Sequence, residues 1–272
     1  MKLFFKILIT FSLILVTIRL VRYYNLAKDE QSKINAIKQF YEILKKNDKK
    51  KFSQNGEDGV ILKLAEYINK TRKGIFVEFG AANGDETNTR ILREKYQWTG
   101  LLMDSYIGHN YDPQKNFYRE EITHENILDL FEKYNIKKDF DLLSQDTDYA
   151  DYWILEKILS KYIPKMIVVE TNQEKGCVTV AKPTELTYWD GNSRYAGASL
   201  CAYLCLAKQY GYTIIYCEKS NVNCFWIRND LLINIFHIKI GVFRQIFTSS
   251  FLRPAEPNLS GQLFKKWFEI EC

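Results

Sequence analysis

Acidic and amide side chains follow two apolar segments in the second half of the sequence. Asp146 and Asp148 come shortly after the apolar segment 140–143, and Asn172 comes shortly after the segment 165–170. If both segments are parallel strands, their carboxyl ends meet at the edge of the sheet where open α/β proteins bind ligands. We expect Asp146 to act as a general base or a metal ligand with Asp148 beside it, and Asn172 to orient an acceptor.

The same carboxylates also permit a structural interpretation. A helix is predicted over residues 152–162, and acidic side chains at a helix N-terminus stabilise it by capping and by interaction with the helix dipole. Asp148 and Asp151 are well placed for that role, and Asp146 less so. The sequence leaves both interpretations open.

A turn that carries two glycines follows an earlier apolar segment. Residues 77–84 read Val-Glu-Phe-Gly-Ala-Ala-Asn-Gly, and Gly80 and Gly84 allow the bare backbone to approach a ligand. Asp104 ends the next predicted strand, 20 residues after Gly84, where a carboxylate can accept both hydroxyls of a ribose. The Gly-x-Gly-x-x-Gly pattern is absent, which favours a nucleoside ligand without a diphosphate over NAD.

Apolar segments alternate with helical patterns from residue 52 onward, which is typical of parallel α/β units. The last two segments, 213–217 and 223–228, are joined by a short polar turn and predict an antiparallel hairpin. The sequence therefore predicts an α/β fold with a doubly wound, mostly parallel sheet and an antiparallel C-terminal hairpin. The other predicted elements are helices over 57–70, near 87–95, 152–162 and 198–210, and strands over 74–79, 100–103, 140–143 and 165–170.

Composition and charge exclude several classes of protein. Of the 272 residues, 46% are hydrophobic and 26% charged, with 5 Pro and 13 Gly, which excludes a disordered or collagen-like chain. The net charge of +5 is unevenly distributed, because residues 1–51 carry 12 Lys and Arg against 4 Asp and Glu. The rest of the chain is slightly acidic. The basic charge therefore indicates placement at a membrane surface, and no nucleic-acid partner is expected.

The N-terminal residues read as a membrane anchor followed by a stem. Residues 3–21 are mostly apolar and would span roughly 28 Å as a helix, close to the thickness of a bilayer core, with Lys6 and Arg19 near the ends. A cleaved signal peptide and a buried helix are the alternatives, although no small-x-small cleavage site follows. We predict a transmembrane signal-anchor over 1–24 and a basic helical stem over 25–51. We expect a single-pass membrane protein of the endoplasmic reticulum, Golgi or cell surface, with its C-terminal domain lumenal or extracellular.

The six cysteines lack Cys-x-x-Cys spacing and the three histidines are scattered, so no metal site is expected from them. Cys217 and Cys224 lie opposite each other in the predicted hairpin. They would form a disulfide in a secretory compartment and remain buried thiols elsewhere. Cys201 and Cys205 lie one helical turn apart and are interpreted as small apolar helix residues.

Several motifs together resemble the FkbM-like methyltransferases. They occur in the right order over about residues 52–230, which is more specific than any one of them. The motifs are Ser53-Gln54-Asn55-Gly56-Glu57-Asp58-Gly59, Phe76 to Gly84, Asn88-Thr89-Arg90, Trp98 to Asp104, Ser144-Gln145-Asp146-Thr147-Asp148, Val169-Glu170-Thr171-Asn172, Tyr195 to Leu200 and Asn223-Cys224-Phe225.

The resemblance implies a seven-stranded class I methyltransferase fold that binds S-adenosyl-L-methionine and often methylates hydroxyl oxygens. It places the cofactor against Glu78, Gly80, Ala81, Gly84, Asp104 and Ser105, with Asp104 on the ribose. Tyr149 departs from the family pattern, which has a glycine there, and this raises the question of catalytic competence. The resemblance places the methyltransferase domain at 52–230, and 231–272 would form a C-terminal extension packed on it.

Three functions compete at this point. The first is a membrane-anchored methyltransferase that acts on a hydroxyl-bearing acceptor such as a glycan, lipid or small molecule. The second is a non-catalytic protein that keeps the fold and acts in trafficking or interaction. The third is a Golgi-type glycosyltransferase, in which the Asp-x-Asp at 146–148 would hold a metal-nucleotide.

Overall fold

The structure is a computed structural model that describes residues 2–68, 73–105, 116–148, 150–172, 179–180, 197–236, 240 and 268–269. The chain divides into two compact units, Met1–Phe40 and Tyr41–Cys272. One continuous helix, α1 (Lys2–Asn47), covers most of the predicted anchor and stem. A search of the described residues finds no helix that is both long and apolar enough to cross a membrane.

The second unit contains a mixed seven-stranded sheet flanked by helices. The strand order is β3-β2-β1-β4-β5-β8-β7; neighbouring strands from β3 to β5 are parallel, and β8 is antiparallel to both β5 and β7. The predicted parallel sheet with an antiparallel C-terminal hairpin is therefore confirmed. The strands are β1 (Ile75–Phe79), β2 (Thr99–Asp104), β3 (Phe117–Arg119), β4 (Leu142–Gln145), β5 (Met166–Glu170), β7 (Tyr212–Cys217) and β8 (Asn223–Arg228).

Helices connect these strands, and a two-stranded antiparallel sheet lies apart from the main one. The small sheet pairs β6 (Thr179–Val180) with β9 (Phe268–Glu269). The helices of this unit are α2 (Glu57–Ile68), α3 (Arg90–Tyr96), α4 (Ile127–Lys133), α5 (Asp151–Leu159), α6 (Leu200–Gln209) and α7 (Asn229–Phe236). Much of the predicted extension 231–272 lies outside the described residues.

Local chemistry explains where several helices begin. The acidic pair Glu57 and Asp58 occupies the first turn of α2, where negative charge complements the helix dipole. Ser199 is the N-cap of α6, and its hydroxyl accepts a hydrogen bond from the amide of Ala202. Both helices therefore begin at residues whose side chains satisfy or complement their first amides.

The central strands are buried on both faces because helices cover both sides of the sheet. All four residues of the central strand β4 are buried, and so are all six residues of β7, which lies at the edge of the sheet. Val77, Leu143, Ile167 and Trp226 belong to one core cluster that also includes residues of α4, α5 and α6. This core fixes the strand ends that carry the polar residues of interest.

Several elements differ from the sequence prediction, and β6, α7 and β9 were not predicted at all. Strand β3 and helix α4 were not predicted; β3 has only three residues and begins next to a segment outside the described range. Strand β4 lies two residues later than predicted, because it ends in Ser144 and Gln145, both 1% exposed. These polar side chains are buried because they make hydrogen bonds inside the protein, and no hydropathy pattern indicates that.

Candidate functional site

A cleft opens at the carboxyl ends of β1 and β4. The chain continues from β1 to β2 on one side and reaches β4 on the other, so the cleft lies at the point where the strand order reverses. Its volume is about 450 Å³, within the usual range for small-molecule sites. The cleft is lined by Gln54, Glu57, Glu78, Phe79, Gly80, Ala82, Asn83, Glu86, Asn88, Ser144, Asp146 and Asn223.

The charges of this lining have one sign. It contains four carboxylates and four side-chain amides, and no lysine or arginine occurs among the residues that line the cleft. A phosphate group would meet like charges here, whereas a positively charged ligand would meet compensating ones.

The turn after β1, which carries the two glycines, has a tight geometry. Gly80 and Gly84 have φ of +71° and +80°, and the amide of Gly84 donates to the carbonyl of Ala81 at 2.7 Å. A β-carbon on Gly80 would lie 1.8 Å from the main-chain oxygen of Asp146, so β4 packs directly against this turn. A β-carbon on Gly84 would lie 3.1 Å from the ring of Phe117 on β3. Of these two glycines, only Gly80 lines the cleft.

Asp104 lies at the end of β2, beside the turn. Its Oδ2 accepts a hydrogen bond of 2.7 Å from the amide of Ala82, which lines the cleft. The adjacent Ser105 is exposed, and its carbonyl accepts from the side chain of Arg119. Ala81 is buried. Of the predicted cofactor residues, Glu78 and Gly80 thus line the cleft, while Ala81, Gly84, Asp104 and Ser105 lie around it.

Glu78 is buried in the cleft floor and holds the start of α3. Its carboxylate accepts hydrogen bonds from the amides of Asn88 and Thr89 at 2.7 and 3.2 Å, and from the hydroxyl of Thr89. These bonds explain why α3 begins at Arg90, three residues later than predicted. Burial raises the pKa of Glu78 above its usual value, although these hydrogen bonds oppose the shift.

Residues at and just before the start of α2 also line the cleft, and the sequence did not predict this role. Glu57 is fully buried and accepts from the amides of Asn55 and Gly56 at 2.8 and 2.9 Å. Asn223, at the start of β8, donates to the same carboxylate at 2.8 Å. In the sequence, Glu57 stands out only as part of a motif of the FkbM-like resemblance. No local pattern predicts its contact with Asn223, which lies 166 residues away.

Three carboxylates form an acidic cluster next to the cleft. Asp146 and Asp148 follow β4, Glu170 ends β5, and one oxygen of each lies within 4.8 Å of the others. The structure thus brings together the predicted residues Asp146 and Asp148 and adds Glu170, which we name with them as the acidic cluster.

Burial and mutual repulsion raise the pKa of every group in the acidic cluster. The pKa of Asp146 rises to about 8, first because of burial and then because of the negative charges of Asp151 and Asp148. The pKa of Glu170 rises to about 9 for the same physical reasons, with Asp146 as its main charged neighbour. Burial and the charge of Asp104 raise the pKa of Asp148.

Asp151 supports the turn that carries the cluster. It is the first residue of α5, and its Oδ1 accepts from the amide of Thr147 at 2.9 Å and from the side chain of Gln145 at 3.2 Å. Neither Asp148 nor Asp151 is the N-cap of α5; Ala150 holds that position without a side-chain hydrogen bond. The capping interpretation is therefore wrong for the N-cap itself, while Asp151 still stabilises the first turn. Tyr149 lies outside the described residues.

Asn172 lies two residues beyond β5. Its backbone amide donates to the carbonyl of Ala198 at 2.8 Å, and its side chain is partly buried. It is not among the residues that line the cleft. Its predicted role in orienting an acceptor stays a prediction.

The cysteines form disulfides. Cys217 and Cys224 are cross-strand partners in the β7–β8 hairpin and are bonded, with their Cα atoms 4.0 Å apart. Cys201 and Cys205 on α6 are also disulfide-bonded, so their interpretation as simple apolar helix residues is wrong. The spacing of Cys201 and Cys205 along the helix does not predict a disulfide, because that bond depends on the distance between two cysteines in the folded protein.

Comparisons with known proteins do not identify a family for this chain. No protein-family model matches it, and no curated protein matches it. Among solved structures, the CurJ carbon methyltransferase is similar over 62% of this chain and 52% of its own, with 10% identity and a TM-score of 0.40. A putative hemolysin from Streptococcus thermophilus is similar over 74% of this chain and 78% of its own, with 12% identity and a TM-score of 0.40.

The chain thus spans about half the length of the CurJ methyltransferase. Both TM-scores are low, and these similarities identify no activity for the chain. The sheet defines an α/β protein, and the cleft lies where its strand order reverses.

Proposed function

We propose that the protein is an S-adenosyl-L-methionine-dependent methyltransferase of class I fold that acts on a hydroxyl oxygen. The observation that carries the proposal is the cleft at the ends of β1 and β4, which is lined by carboxylates and amides. When bound, S-adenosyl-L-methionine supplies an electrophilic methyl group on a positively charged sulfur. Its ammonium and sulfonium groups match a cleft without lysine or arginine in its lining.

The strand order supports the fold part of the proposal. Five parallel strands are followed by a hairpin whose second strand, β8, inserts between β5 and β7. This is the arrangement that the FkbM-like resemblance implies. The motifs of that resemblance also supply three lining positions, Gln54, Glu57 and Asn223, which no other prediction had connected.

Asp104 supports the nucleoside part of the proposal. It lies at the end of β2 and is bonded to the amide of Ala82. A ribose placed over the turn after β1 would meet this carboxylate, as in other open α/β folds that bind nucleosides. In this proposal Ala81, Gly84 and Ser105 shape the turn and strand end, whereas Glu78 and Gly80 border the ligand.

The acceptor side of the site contains Asp146, Asp148 and Asn172. Asp146 borders the cleft and belongs to the acidic cluster, so it connects the two parts of the site. Methyl transfer needs the acceptor oxygen held in line with the methyl group, and correct placement alone contributes much of the rate. In this proposal Asp146 and Asp148 bind the acceptor side and Asn172 orients the hydroxyl.

The disulfides support our proposal for where the protein acts. Every cysteine in the described part of the chain is disulfide-bonded, and such bonds persist in oxidising compartments. We place the second unit in the lumen of the secretory pathway or outside the cell. The membrane anchor over residues 1–24 remains a proposal from the apolar sequence.

Calorimetric titration of the full chain with S-adenosylhomocysteine tests the function. A parallel titration uses UDP, with Mn²⁺ at the same concentration in the cell and in the syringe. We expect saturable binding of S-adenosylhomocysteine and none of UDP. Binding of UDP in the presence of Mn²⁺, without binding of S-adenosylhomocysteine, would indicate the glycosyltransferase alternative. Absence of binding in both titrations would contradict an adenosyl site and indicate the non-catalytic alternative.

A further inference from the structure

We propose that Asp146, Asp148 and Glu170 bind a divalent metal cation of the hard, oxygen-preferring class of Mg²⁺, Mn²⁺ and Ca²⁺. The three side chains offer only oxygen ligands, which suit these cations better than Zn²⁺ or Cu²⁺. This site does not depend on the proposed methyl transfer, because it requires no adenosyl ligand.

The geometry of the acidic cluster fits a shared ion. Strands β4 and β5 are parallel neighbours, and their register pairs Gln145 with Val169. Asp146 and Glu170 are therefore the next residues along the two strands. One oxygen from each of the three carboxylates lies within 4.8 Å of the others. Two oxygens on opposite sides of a cation are separated by roughly 4–5 Å, given metal–oxygen distances of about 2.0–2.6 Å.

The acidic cluster has no positive partner within the described ranges of the chain. None of the ion pairs there joins a lysine or arginine to Asp146, Asp148 or Glu170. Asp151 and Asp104 add further negative charge close by. Several carboxylates in a partly buried site cost free energy unless a proton or a cation neutralises them.

Two buried polar atoms next to the acidic cluster provide a second, independent observation. The Oδ2 of Asp151 and the hydroxyl of Tyr203 lie on side chains that are 1% and 0% exposed, and neither atom has a hydrogen-bond partner among the residues that the structure describes. Burial and the negative charges of Asp151, Glu170 and Asp146 raise the pKa of the Tyr203 hydroxyl, which places it near this group of carboxylates. Such orphaned atoms in a native protein require an explanation.

A hydrated cation accounts for both observations. Mg²⁺ and Ca²⁺ commonly keep water molecules in their coordination shell. Bound water can accept a hydrogen bond from Tyr203 and donate one to Asp151. The cation would thus neutralise the three carboxylates and complete the hydrogen bonding of the two residues behind them.

Metal binding to the full chain tests the proposal. The protein is stripped with EDTA, which is then removed by dialysis, and titrated with Mn²⁺ by calorimetry, with Tb³⁺ luminescence as a second readout. We expect one saturable Mn²⁺ per chain, and Asp146→Asn or Glu170→Gln should weaken binding at least about tenfold. Tyr203→Phe should weaken it about tenfold, the lower end of the loss typical of groups that support a metal site from behind its ligands.

Asp129→Asn provides the matched control. Asp129 is an exposed carboxylate in the first turn of α4 and belongs to no acidic cluster, so its loss should leave Mn²⁺ affinity unchanged. Asp148→Asn separates loss of the metal from misfolding. Because Asp148 is exposed, this variant should stay folded and still bind Mn²⁺ more weakly than the wild type. Mn²⁺ should raise the melting temperature of the wild type and of Asp129→Asn more than that of Asp146→Asn.

The metal site would be overturned if the wild type showed no saturable Mn²⁺ binding. It would also be overturned if Asp146→Asn, Asp148→Asn and Glu170→Gln bound Mn²⁺ with the same affinity as the wild type. Titration with S-adenosylhomocysteine in the presence of EDTA separates this result from the proposed function. Binding of Mn²⁺ without S-adenosylhomocysteine binding supports the metal site and contradicts the methyltransferase. The reverse pair of results contradicts the metal site alone.

Discussion

The main-chain oxygen of Asp146 occupies the position next to Gly80 where a side chain would begin. A β-carbon on Gly80 would lie 1.8 Å from that oxygen and 2.9 Å from the carbon that bears it. The end of β4 is therefore pressed against the turn after β1. Because Asp146 belongs both to the cleft lining and to the acidic cluster, this contact fixes the spacing of the two parts of the site.

Gly80→Ala should damage both stability and ligand binding. The substitution places an alanine at φ +71°, which alone costs about 1–2 kcal/mol, and forces β4 away from the turn. We expect a loss of more than about 2 kcal/mol in the free energy of unfolding, measured with urea, and weaker binding of S-adenosylhomocysteine.

Gly211→Ala is the matched control for Gly80→Ala. Gly211 has a similar φ of +78°, and nothing lies within 4 Å of the position of a β-carbon there. Its substitution should cost only the conformational strain and leave the cleft intact. Equal losses in the two variants would show that the contact with Asp146 is unimportant.

Asp104→Ala should abolish adenosyl binding while the protein stays folded. The substitution removes the carboxylate proposed to hold the ribose, and the amide of Ala82 that it accepts from is exposed and can bond to water. We expect at least a tenfold loss of S-adenosylhomocysteine affinity by calorimetry, with an unchanged circular dichroism spectrum. Asp85 is an exposed carboxylate in the connection between β1 and α3, and the variant Asp85→Ala should bind S-adenosylhomocysteine normally. Unchanged affinity in Asp104→Ala would remove the ribose assignment.

Glu57→Gln should destabilise the protein at the start of α2, where Glu57 lines the cleft. Its Oε1 accepts from the side-chain amides of Asn55 and Asn223, so an NH₂ group at that position would face two donors. We expect a cost of about 1–3 kcal/mol in the free energy of unfolding, because buried donors lose their acceptor.

Glu86→Gln is the comparison for Glu57→Gln. Glu86 lines the same cleft, but it is exposed and forms only a surface ion pair with Lys50. Its substitution should change the free energy of unfolding by about 0.5 kcal/mol or less. Similar urea midpoints for the two variants would contradict the structural role of Glu57.

The Cys217–Cys224 disulfide should be detectable by peptide mapping. Trypsin cleaves after Lys208, Lys219 and Arg228, so the two cysteines fall in separate peptides, 209–219 and 220–228. In an unreduced digest of the full chain we expect these peptides as one linked species that separates on reduction. Two free peptides without reductant would contradict both the disulfide and the oxidising compartment. The double substitution to serine should cost about 2 kcal/mol of stability.

The sequence by itself determined the glycine-bearing turn after β1 and the order of the helices and strands other than β3, α4, β6, α7 and β9. It also placed Asp104, Asp146 and Asp148 at strand ends. Hydrophobic periodicity, glycine and capping residues act within a few neighbours along the chain, so these features are visible locally. Strand β4 was misplaced because Ser144 and Gln145 are buried by hydrogen bonds, which periodicity does not register.

Only the tertiary structure decided which of these strand ends meet. The insertion of β8 between β5 and β7 brings Asn223 to Glu57 across 166 residues, and the pairing of β4 with β5 adds Glu170 to the two aspartates. Tyr203 reaches the same region from α6. Such contacts depend on strand pairing and helix packing between distant segments, and their energies come from burial and hydrogen bonding that no local pattern encodes.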